Sequence, residues 1–506
     1  MSQISTSPDG GLARLLARRA HDDGPRTFLE DAQGGRVLTY AALAVLARQR
    51  ATALDEAAIP PGARVLIDIE NPVHFCAAYL SVIAAGRCAV PVNPQAPVAE
   101  LVRTVHMARP DVMIGDRADR VACSGVPPLR PVRDDDRTGA ARRPAQDARP
   151  GSVLLLTSGS TGAPKAVELT EDRLRHVARA VARHNQLTPD DRGFSPLPLF
   201  YINAQVVALL ASLEAGAALL VSRRFRRHGF WEDAAARDAT WINAVPAILA
   251  ILAAQPVPVR PPRLRLIRSA SAPLPIAVRH RIEARAGVPV VESYGMTEAA
   301  SQITATPLDG SGPAGSCGRP AGAEAEVRDP AGCPRPAGTT GQIWIRGAGV
   351  IDGYADGRAR ERFDRAGWLN TGDLGYLDDA GFLFLTGRSD DVINRGGELL
   401  YPREIEKTLI ADPAVRDAVV VGRPDPILGQ VPVAYVIPAR DPGTADGLQH
   451  LLDVLGARCA AELSRFKRPE AIYVVEDLPR AATGKVQRYR LRADAPAAAG
   501  VPAPVS

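Results

Sequence analysis

The first 130 residues alternate short apolar runs with longer segments in which apolar residues recur every three or four positions. Residues 64–69 have the near-continuous apolar character of a buried strand, and residues 75–85 have that of a buried helix. Residues 38–43 open an amphipathic helix. A chain that repeats strand and helix in this way is typical of a parallel sheet covered by helices on both faces. We therefore predict an α/β fold.

The same alternation resumes at about residue 151 and continues to about residue 305, after a polar, proline-bearing stretch at 131–150 that is typical of a surface loop. The longest apolar stretch, residues 206–221, is interrupted by Glu214 and Gly216. We interpret it as a buried helix followed by a strand, because a membrane span needs about 20 predominantly apolar residues. The pattern predicts two parallel βαβ-type sheets in one large N-terminal domain.

Beyond residue 305 the pattern changes twice. From about 306 to 385 glycine and proline become frequent and the strands shorten, which indicates a small β-barrel or sheet. After Arg388 we predict a separate, small α+β C-terminal domain. Its elements are helices at 404–410 and 448–463 and strands at 418–421 and 431–437. The predicted boundaries are 1–387 for the N-terminal domain, 392–492 for the C-terminal domain and 493–506 for a disordered tail.

Composition supports a globular protein and excludes several other classes. The 506 residues are 46% apolar and 23% charged, which suits about three core-forming units of ~150 residues each. The net charge of +5 is spread out, and the basic cluster 223–227 has no aromatic platform, which argues against nucleic-acid binding. Six scattered cysteines without a CxxC pair, and an N-terminus without an apolar leader, predict a cytoplasmic protein with reduced thiols and no structural zinc.

Lysine is rare in this chain. Of the 61 basic residues only four are lysines, at positions 165, 407, 467 and 485. A chain that uses arginine for ordinary positive charge is expected to keep lysine where a compact ammonium group is needed. Lys165 and Lys485 are therefore candidate functional residues.

Lys165 closes the loop Thr-Ser-Gly-Ser-Thr-Gly-Ala-Pro-Lys at 157–165, which follows an apolar strand. Small hydroxyl residues and glycines at the end of a strand expose N–H and O–H groups that bind anions, most commonly phosphate. The loop differs from the GxxxxGK[ST] pattern, since Pro164 replaces the second glycine and Ala166 the final hydroxyl residue. Residues 347–353 also miss the GxGxxG dinucleotide pattern by one residue.

Four further segments follow this loop in order. They are Ser-Tyr-Gly-Met-Thr-Glu at 293–298, Gly-Trp-Leu-Asn-Thr-Gly-Asp at 367–373, Gly-Arg-Ser-Asp-Asp-Val-Ile-Asn-Arg-Gly-Gly-Glu at 387–398 with Tyr-Pro-Arg-Glu-Ile-Glu at 401–406, and Pro-Arg-Ala-Ala-Thr-Gly-Lys at 479–485. Together with the loop they resemble the signature motifs of the adenylate-forming superfamily, which includes acyl-CoA synthetases, peptide-synthetase adenylation domains and luciferases. The similarity extends over residues 11–492.

The resemblance implies a reaction in which a carboxylate attacks the α-phosphate of ATP to give an acyl-adenylate and pyrophosphate. Lys485 matches the catalytic lysine, which contacts both the carboxylate and the α-phosphate. An ammonium group ~4 Å from a unit of developing charge contributes ~4 kcal/mol at an effective dielectric of 20. If most of that acts on the transition state, the rate gain is on the order of 10³.

The same resemblance assigns roles to the other motif residues. Lys165 and its loop hold the β- and γ-phosphates, Thr297 contacts the α-phosphate, and Glu298 binds Mg²⁺. Tyr294 lies against adenine, Asp373 binds the ribose, and Arg388 supports the same sugar. The expected ATP site consists of Thr157, Ser158, Gly159, Ser160, Thr161, Gly162, Lys165, Ser271, Ala272, Tyr294, Gly295, Met296, Thr297, Asp373, Arg388 and Lys485.

The expected acyl pocket contains Tyr201, Asn203, Ser269, Ala270, Gly295 and Gln302. Tyr201 stands where the family often has histidine, and the segment lacks the aspartate with which amino-acid-activating relatives pair the ammonium group. A simple carboxylic acid is therefore the expected substrate. The polar side chains of Asn203, Gln205, Asn243 and Gln302 favour a hydroxylated or amino-substituted aryl acid.

The resemblance also implies that the C-terminal domain is mobile. The hinge is expected at 388–391, with Asp390 as the hinge residue. Its rotation would remove Lys485 from the site and bring Gly396 and Gly397 to it, where they line a channel for the pantetheine arm.

Four hypotheses remain open at this stage. The first is an acyl- or aryl-CoA ligase that uses ATP, Mg²⁺ and coenzyme A. The second is a stand-alone enzyme that loads an acyl carrier protein. The third is an adenylate-forming enzyme with an amine acceptor or one that activates nitrite for diazotisation, and the fourth is a non-catalytic nucleotide-binding module. We expect a monomer or homodimer that has no membrane span and no nucleic-acid partner.

Overall fold

The computed structural model describes residues 11–129, 149–157, 165–396, 398–480 and 486–493. The chain divides into two compact units, the first made of Met1–Ala325 and Ile345–Leu369 and the second of Glu326–Trp344 and Asn370–Ser506. The predicted surface loop at 131–150 and the predicted tail lie almost entirely outside the described residues. The domain boundaries at 387 and 392 stay predictions.

The first part of the chain builds a five-stranded sheet. Its elements are α1 (Gly11–Asp22), β1 (Thr27–Asp31), β2 (Val37–Thr39), α2 (Tyr40–Glu56), β3 (Arg64–Asp68), α3 (Pro72–Ala84), β4 (Cys88–Pro91), α4 (Val98–Ala108), β5 (Val112–Gly115), α5 (Ala118–Ser124), β6 (Ser152–Thr157) and β7 (Lys165–Thr170). The strand order is β5-β3-β4-β6-β7, and β1 and β2 belong to a second sheet. The strand predicted at 64–69 and the helix predicted at 75–85 are confirmed as β3 and α3.

Local sequence explains why α3 begins where it does. The side chain of Asn71 accepts a hydrogen bond from the backbone N–H of His74 at 3.0 Å, and Pro72 occupies the first turn. Both are favoured at helix starts, since the cap satisfies an orphan N–H and proline has none to lose. The helix is buried along most of its length.

The second part of the chain builds a nine-stranded sheet. Its elements are α6 (Glu171–His184), β8 (Arg192–Ser195), a π-helix (Ala204–Leu210), α7 (Ala211–Ala215), β9 (Ala218–Val221), α8 (Phe230–Ala236), β10 (Trp241–Ala244), α9 (Pro246–Ala253), β11 (Leu266–Ser269), α10 (Ile276–Ala286), β12 (Val290–Met296), β13 (Ser301–Ala305) and β14 (Arg319–Pro320). The strand order is β14-β13-β12-β11-β10-β8-β9-β1-β2. The helix and strand predicted within 206–221 are confirmed, although the helix begins as a fully buried π-helix.

Both sheets are mixed, which corrects the expectation of two parallel sheets. In the first sheet β6 and β7 pair antiparallel. In the second sheet the central strands are parallel, but β12 pairs antiparallel with β13, and β1 with β2. The reason is connection length: a chain that turns back within a few residues must pair antiparallel, whereas parallel neighbours need a crossover.

A four-stranded sheet follows, where we expected a small barrel or sheet. Its strands are β15 (Glu324–Arg328), β16 (Gly341–Arg346), β17 (Leu369–Leu377) and β18 (Leu383–Arg388), in that order across the sheet. Strands β17 and β18 form an antiparallel hairpin in which Asp373 pairs with Arg388.

The last part of the chain is an α+β layer structure, as predicted. Its elements are β19 (Ile393–Arg395), β20 (Glu398–Leu400), α11 (Pro402–Ile410), β21 (Val415–Asp425), β22 (Gly429–Pro438), α12 (Ala445–Glu462), β23 (Ala471–Val474) and α13 (Arg488–Ala493). The side chains of β21 and β22 alternate between two cores. Val420, Ala434 and Val436 pack with α11 and α12, whereas Val419 and Val433 pack with Leu491 of α13. The sheet is therefore covered on both faces.

Candidate functional site

The predicted phosphate loop connects the two strands of a hairpin. Thr157 ends β6 and pairs in register with Lys165, which begins β7. Ser158, Gly159, Ser160, Thr161 and Gly162 lie outside the described residues. The hydroxyl of Thr157 donates to the backbone oxygen of Lys165 at 3.4 Å, so the two ends of the loop are held together.

A tyrosine that the sequence did not single out joins this hairpin to Glu298. The ammonium group of Lys165 lies 5.1 Å from the ring centre of Tyr354, a distance at which a cation is attracted to an aromatic face. The Tyr354 hydroxyl donates to Glu298 Oε1 at 2.8 Å. The backbone N–H of Ala355 donates to the oxygen of Ala166 at 2.9 Å, which fixes the segment alongside β7.

Arg362 completes this arrangement. Its guanidinium hydrogen-bonds to the Tyr354 hydroxyl and lies 3.6 Å from Glu298 Oε1. Burial, and next the charge of Glu298, raise the pKa of Tyr354 above its ordinary value, so that the phenol stays protonated and donates. Tyr354 directly follows the glycine-rich stretch 347–353. The local sequence does not predict its contact with Glu298, because the two residues are 56 positions apart.

Glu298 and Thr297 sit in a strained turn between β12 and β13. Ala300 and Ser301 have φ angles of 48° and 97°, and such left-handed conformations cost roughly 1–3 kcal/mol each in residues other than glycine. The strand pairing shifts register between Tyr294 and Gly295. A Cβ atom on Gly295 would lie 1.5 Å from the backbone oxygen of Ser301, so only glycine fits. The turn therefore fixes the positions of Thr297 and Glu298, and it does so with a strained backbone.

The residues at this turn fit a magnesium ion. Glu298 is 7% exposed, and both of its described side-chain contacts are made by Oε1. Within the described part of the chain no three His, Cys, Asp or Glu side chains cluster to hold a metal. Mg²⁺ binds through one or two carboxylates together with substrate phosphates and water, so a single buried carboxylate beside a phosphate loop is a suitable protein ligand.

In the second unit Asp373 and Arg388 form an ion pair at 2.8 Å. The backbone of Asp373 is fixed, since its N–H donates to the Thr371 hydroxyl at 3.0 Å, and that hydroxyl donates to the Ile343 oxygen at 2.8 Å. The structure thus brings together the two residues predicted to hold the ribose. A carboxylate that is held in place by a guanidinium retains oxygen lone pairs for hydroxyl donors.

The predicted hinge residue Asp390 lies in a one-turn 3-10 helix, Ser389–Asp391. Arg492 donates to the backbone oxygen of Asp390 at 3.3 Å and to Asp391 at 2.8 Å. Arg488 lies 3.4 Å from Asp391 and 2.6 Å from Glu406. These contacts, which sequence reasoning missed, tie the predicted hinge segment 388–391 to α13.

Of the remaining predicted residues in the second unit, Gly396 is described and two are not. Gly396 forms a turn with φ of 61° between β19 and β20. Gly397 and Lys485 lie outside the described residues, and their roles stay predictions.

The polar residues of the predicted acyl pocket largely have hydrogen-bond partners within the protein. Asn243 donates to Asn203 Oδ1 at 2.7 Å. Gln302 accepts from Arg268 at 2.5 Å and donates to the Ala321 oxygen at 2.6 Å. Since these amides already have partners within the protein, they offer fewer free groups to an aryl substituent than their composition indicates.

The other predicted acyl and adenine residues are placed as follows. Burial raises the pKa of Tyr201 to about 12, and its ring packs 4.4 Å from that of Phe200. Ser269 and Ala270 are buried, whereas Ser271 and Ala272 are exposed, and Ser271 has a left-handed φ of 75°. Tyr294 is buried, and Gly295 and Met296 follow it as the end of β12.

Comparison with known proteins identifies the family. Residues 16–355 match the AMP-binding enzyme family and residues 404–485 match the AMP-binding enzyme C-terminal domain. Sulfoacetate–CoA ligase of Cupriavidus necator is 37% identical over 501 residues, which cover 95% of this chain and 97% of that protein.

Two solved structures extend the likeness to the fold. ATP-bound MatB from Rhodopseudomonas palustris has a TM-score of 0.83 at 29% identity, and covers 95% of this chain and 98% of its own. O-succinylbenzoate coenzyme A synthetase from Bacillus subtilis, in complex with ATP and magnesium, has a TM-score of 0.81 at 27% identity, and covers 94% of this chain and 98% of its own.

Among the described residues, none of the helices combines the length and apolar character needed to cross a bilayer. The first match contains the phosphate loop and the segment 293–298, and the second ends at Lys485. The chain therefore belongs to the AMP-binding enzyme family, within the adenylate-forming superfamily.

Proposed function

We propose that this protein activates a carboxylic acid with ATP and transfers the acyl group to coenzyme A. A carboxylate oxygen attacks the α-phosphate, the bond to the β-phosphate oxygen breaks, and pyrophosphate leaves. The sulfur of the CoA thiolate then attacks the acyl carbon, AMP leaves with the bridging oxygen, and the thiol proton passes to solvent. The two products are the acyl-CoA thioester and AMP.

The single observation that carries this proposal is the contact chain from the phosphate-loop hairpin to the buried carboxylate. Lys165, Tyr354 and Glu298 follow one another within cation–π and hydrogen-bonding distance. A cation at the end of a hydroxyl-rich loop and a carboxylate one side chain away are the groups that a magnesium–triphosphate complex requires.

Each residue then has a defined task. The loop N–H and O–H groups and Lys165 bind the β- and γ-phosphates, and Thr297 orients the α-phosphate. Asp373, held by Arg388, binds the ribose hydroxyls, and Lys485 stabilises the charge that develops during attack. Magnesium, held by Glu298, supplies charge neutralisation on the phosphates.

Coenzyme A is favoured as the acceptor by the ligases to which this chain is similar. The names of sulfoacetate–CoA ligase and O-succinylbenzoate coenzyme A synthetase both give coenzyme A as the acceptor. Gly396, in the turn between β19 and β20, has no side chain, which suits the role in the pantetheine channel that the superfamily resemblance implies.

The test is a screen of carboxylic acids for acid-dependent release of pyrophosphate, followed by thioester assays on each active acid with CoA and with an acyl carrier protein. We expect pyrophosphate release with at least one acid, and a thioester with CoA. Thioester formation on the carrier protein alone, or pyrophosphate release with nitrite in place of an acid, would replace the acceptor assignment. Absence of release with every acid would overturn the function.

A further inference from the structure

Arg268, on β11, is a buried guanidinium whose partners are all neutral. Its side chain is completely buried. Nη1 donates to Asn185 Oδ1 at 2.7 Å, and Nη2 donates to Ser293 Oγ at 3.0 Å and to Gln302 Oε1 at 2.5 Å. Nε is buried without a hydrogen-bond partner. Burial lowers the pKa of Arg268 to about 10, so the group is still a cation at neutral pH.

Two other buried arginines are each paired with a carboxylate, which Arg268 lacks among the described residues. Arg120 lies 2.5 Å from the buried carboxylate of Asp68, and Arg175 lies 2.7 Å from that of Glu214. Through the described ranges no carboxylate comes within ion-pairing distance of Arg268. A buried charge without a counter-ion is costly, and proteins normally pair it. An anion is therefore the partner that this site lacks.

Arg268 lies next to residues of the predicted acyl pocket. Gln302, a predicted pocket residue, accepts directly from its guanidinium. Asn243 is its register partner on β10, and Ser269 follows it on β11. The Ser269 hydroxyl and Asn243 Oδ1 are buried without hydrogen-bond partners. Asn243 Oδ1, on the same face of the sheet as Arg268, is thus a further buried polar atom without a partner.

Among the described residues, the titratable neighbour of Arg268 does not supply the missing charge. His184, at the end of α6, has a lowered pKa because of its burial and, next, the charge of Arg268. An imidazole is neutral or cationic and does not become an anion, so His184 is not the counter-ion; its Nε2 lies 3.0 Å from the Thr306 backbone oxygen. The described part of the chain therefore offers no counter-ion, and a bound anion can supply one.

We propose that Arg268 binds a second acidic group of the acid substrate, so that the enzyme prefers small dianionic acids with a carboxylate or sulfonate besides the carboxylate that is activated. This inference rests on the proposed function and narrows its substrate class. The guanidinium exchanges a neutral acceptor, Ser293 or Gln302, for the anion. Hydrogen bonds to charged groups are roughly twice as strong as neutral ones.

The experiment compares acids matched in length. Malonate and sulfoacetate, which differ in whether the second group is a carboxylate or a sulfonate, are each compared with propionate in the pyrophosphate-release assay. We expect kcat/KM to be at least roughly 100-fold higher for one of the dianions, and the better of the two identifies the second group. An equal or higher kcat/KM for propionate would overturn the inference and leave the proposed function intact.

Two variants test the residue itself. Asn185→Asp is isosteric and places a carboxylate against Nη1, and Asn185 Nδ2 has no hydrogen-bond partner to lose. Arg268→Met removes the cation. We expect both to lower the dianion-to-propionate ratio of kcat/KM by about 10- to 100-fold. A ratio that stays at the wild-type value in Asn185→Asp would contradict the assignment even if Arg268→Met does not fold.

Melting temperatures of the variants, together with a matched arginine variant, provide the control. Asn185→Asp should raise the melting temperature, because it gives Arg268 its missing partner, and a dianion should then stabilise the variant less than the wild type. Arg175→Met leaves Glu214 without its close partner and should lower the melting temperature without changing the ratio. A changed ratio in Arg175→Met would mean that the ratio reports general damage and would refute the specific role of Arg268.

Discussion

The hydroxyl of Tyr354 donates a 2.8 Å hydrogen bond to Glu298 Oε1 while its ring lies beneath the ammonium group of Lys165. One side chain thus spans the distance between the phosphate-loop hairpin and the carboxylate proposed to hold magnesium. The hydrogen bond from Tyr354 is therefore one of the contacts that hold Glu298 in place, in addition to its own turn.

Tyr354→Phe should weaken magnesium use without abolishing activity. The ring and its contact with Lys165 remain, but Glu298 loses its hydroxyl donor and keeps only the more distant Arg362. We expect the magnesium concentration at half-maximal pyrophosphate release to rise about 3- to 10-fold, in line with the loss of one charge-assisted hydrogen bond.

The matched control is Tyr376→Phe, which removes the hydroxyl of a tyrosine that stacks 4.8 Å from Phe384 in β18. Its magnesium titration should overlay that of the wild type. If Tyr354→Phe also overlays it, Tyr354 does not position the carboxylate.

Glu298→Gln should have a larger effect on the same titration. The amide keeps the size of the side chain and can still accept from Tyr354, but it removes the negative charge that binds Mg²⁺. Pyrophosphate release should fall on the order of 10²- to 10³-fold at 1–2 mM magnesium, and part of it should return at higher concentrations. A normal magnesium requirement in Glu298→Gln would remove the metal assignment.

Lys485→Ala should separate the two half-reactions. Adenylate formation should be lost on the order of 10³-fold, because the ammonium group acts on the developing phosphate charge. Thioester formation from supplied acyl-adenylate should persist, since the lysine is expected to leave the site for that step. Equal loss of both half-reactions would argue against rotation at Asp390.

Lys467→Ala is the control for this experiment. Lys467 also lies in the C-terminal domain, but its ammonium group is engaged with Glu404 at 2.7 Å. Both half-reactions should be within a few-fold of the wild type, because a largely exposed ion pair contributes little.

The sequence predicted those elements and residues that are specified by a short, contiguous segment of the chain. Strand β3 and helix α3 were predicted because each is a nearly continuous apolar run. The strands of the C-terminal part, β21 and β22, were predicted from apolar runs in the same way. Thr297, Glu298, Asp373 and Arg388 were singled out because each lies in a motif that is contiguous in sequence.

The features that sequence analysis missed are made by distant residues or by uniform segments. Tyr354 meets Glu298 across 56 positions, and Arg268 meets Gln302 across 34, and neither contact leaves a local pattern. The π-helix 204–210 lies in a segment that is buried on every side. The spacing of apolar and polar positions cannot distinguish a π-helix from an α-helix there, because the segment has no polar face.

Glu171 should make the protein less stable as the pH rises from 4.5 to 7. It is a buried residue at the start of α6 whose carboxylate accepts from the Leu12 N–H at 2.9 Å. Burial, only partly offset by that bond, raises its pKa from 4.5 to about 7. In this pH window the folded state holds a proton that the unfolded state releases, so the free energy of unfolding decreases as the pH rises, by about 1–3 kcal/mol in total.

Glu171→Gln removes this dependence, because the amide stays neutral and its oxygen can still accept from Leu12. The variant should match the wild type in urea unfolding at pH 4.5 and exceed it at pH 8 by about 1–3 kcal/mol. Glu232→Gln, which changes an exposed carboxylate in the first turn of α8, should show the same difference from the wild type at both pH values. A Glu171→Gln protein that gains nothing at pH 8 would mean that the buried carboxylate is already compensated in the folded state, and that the start of α6 carries no ionisation penalty at neutral pH.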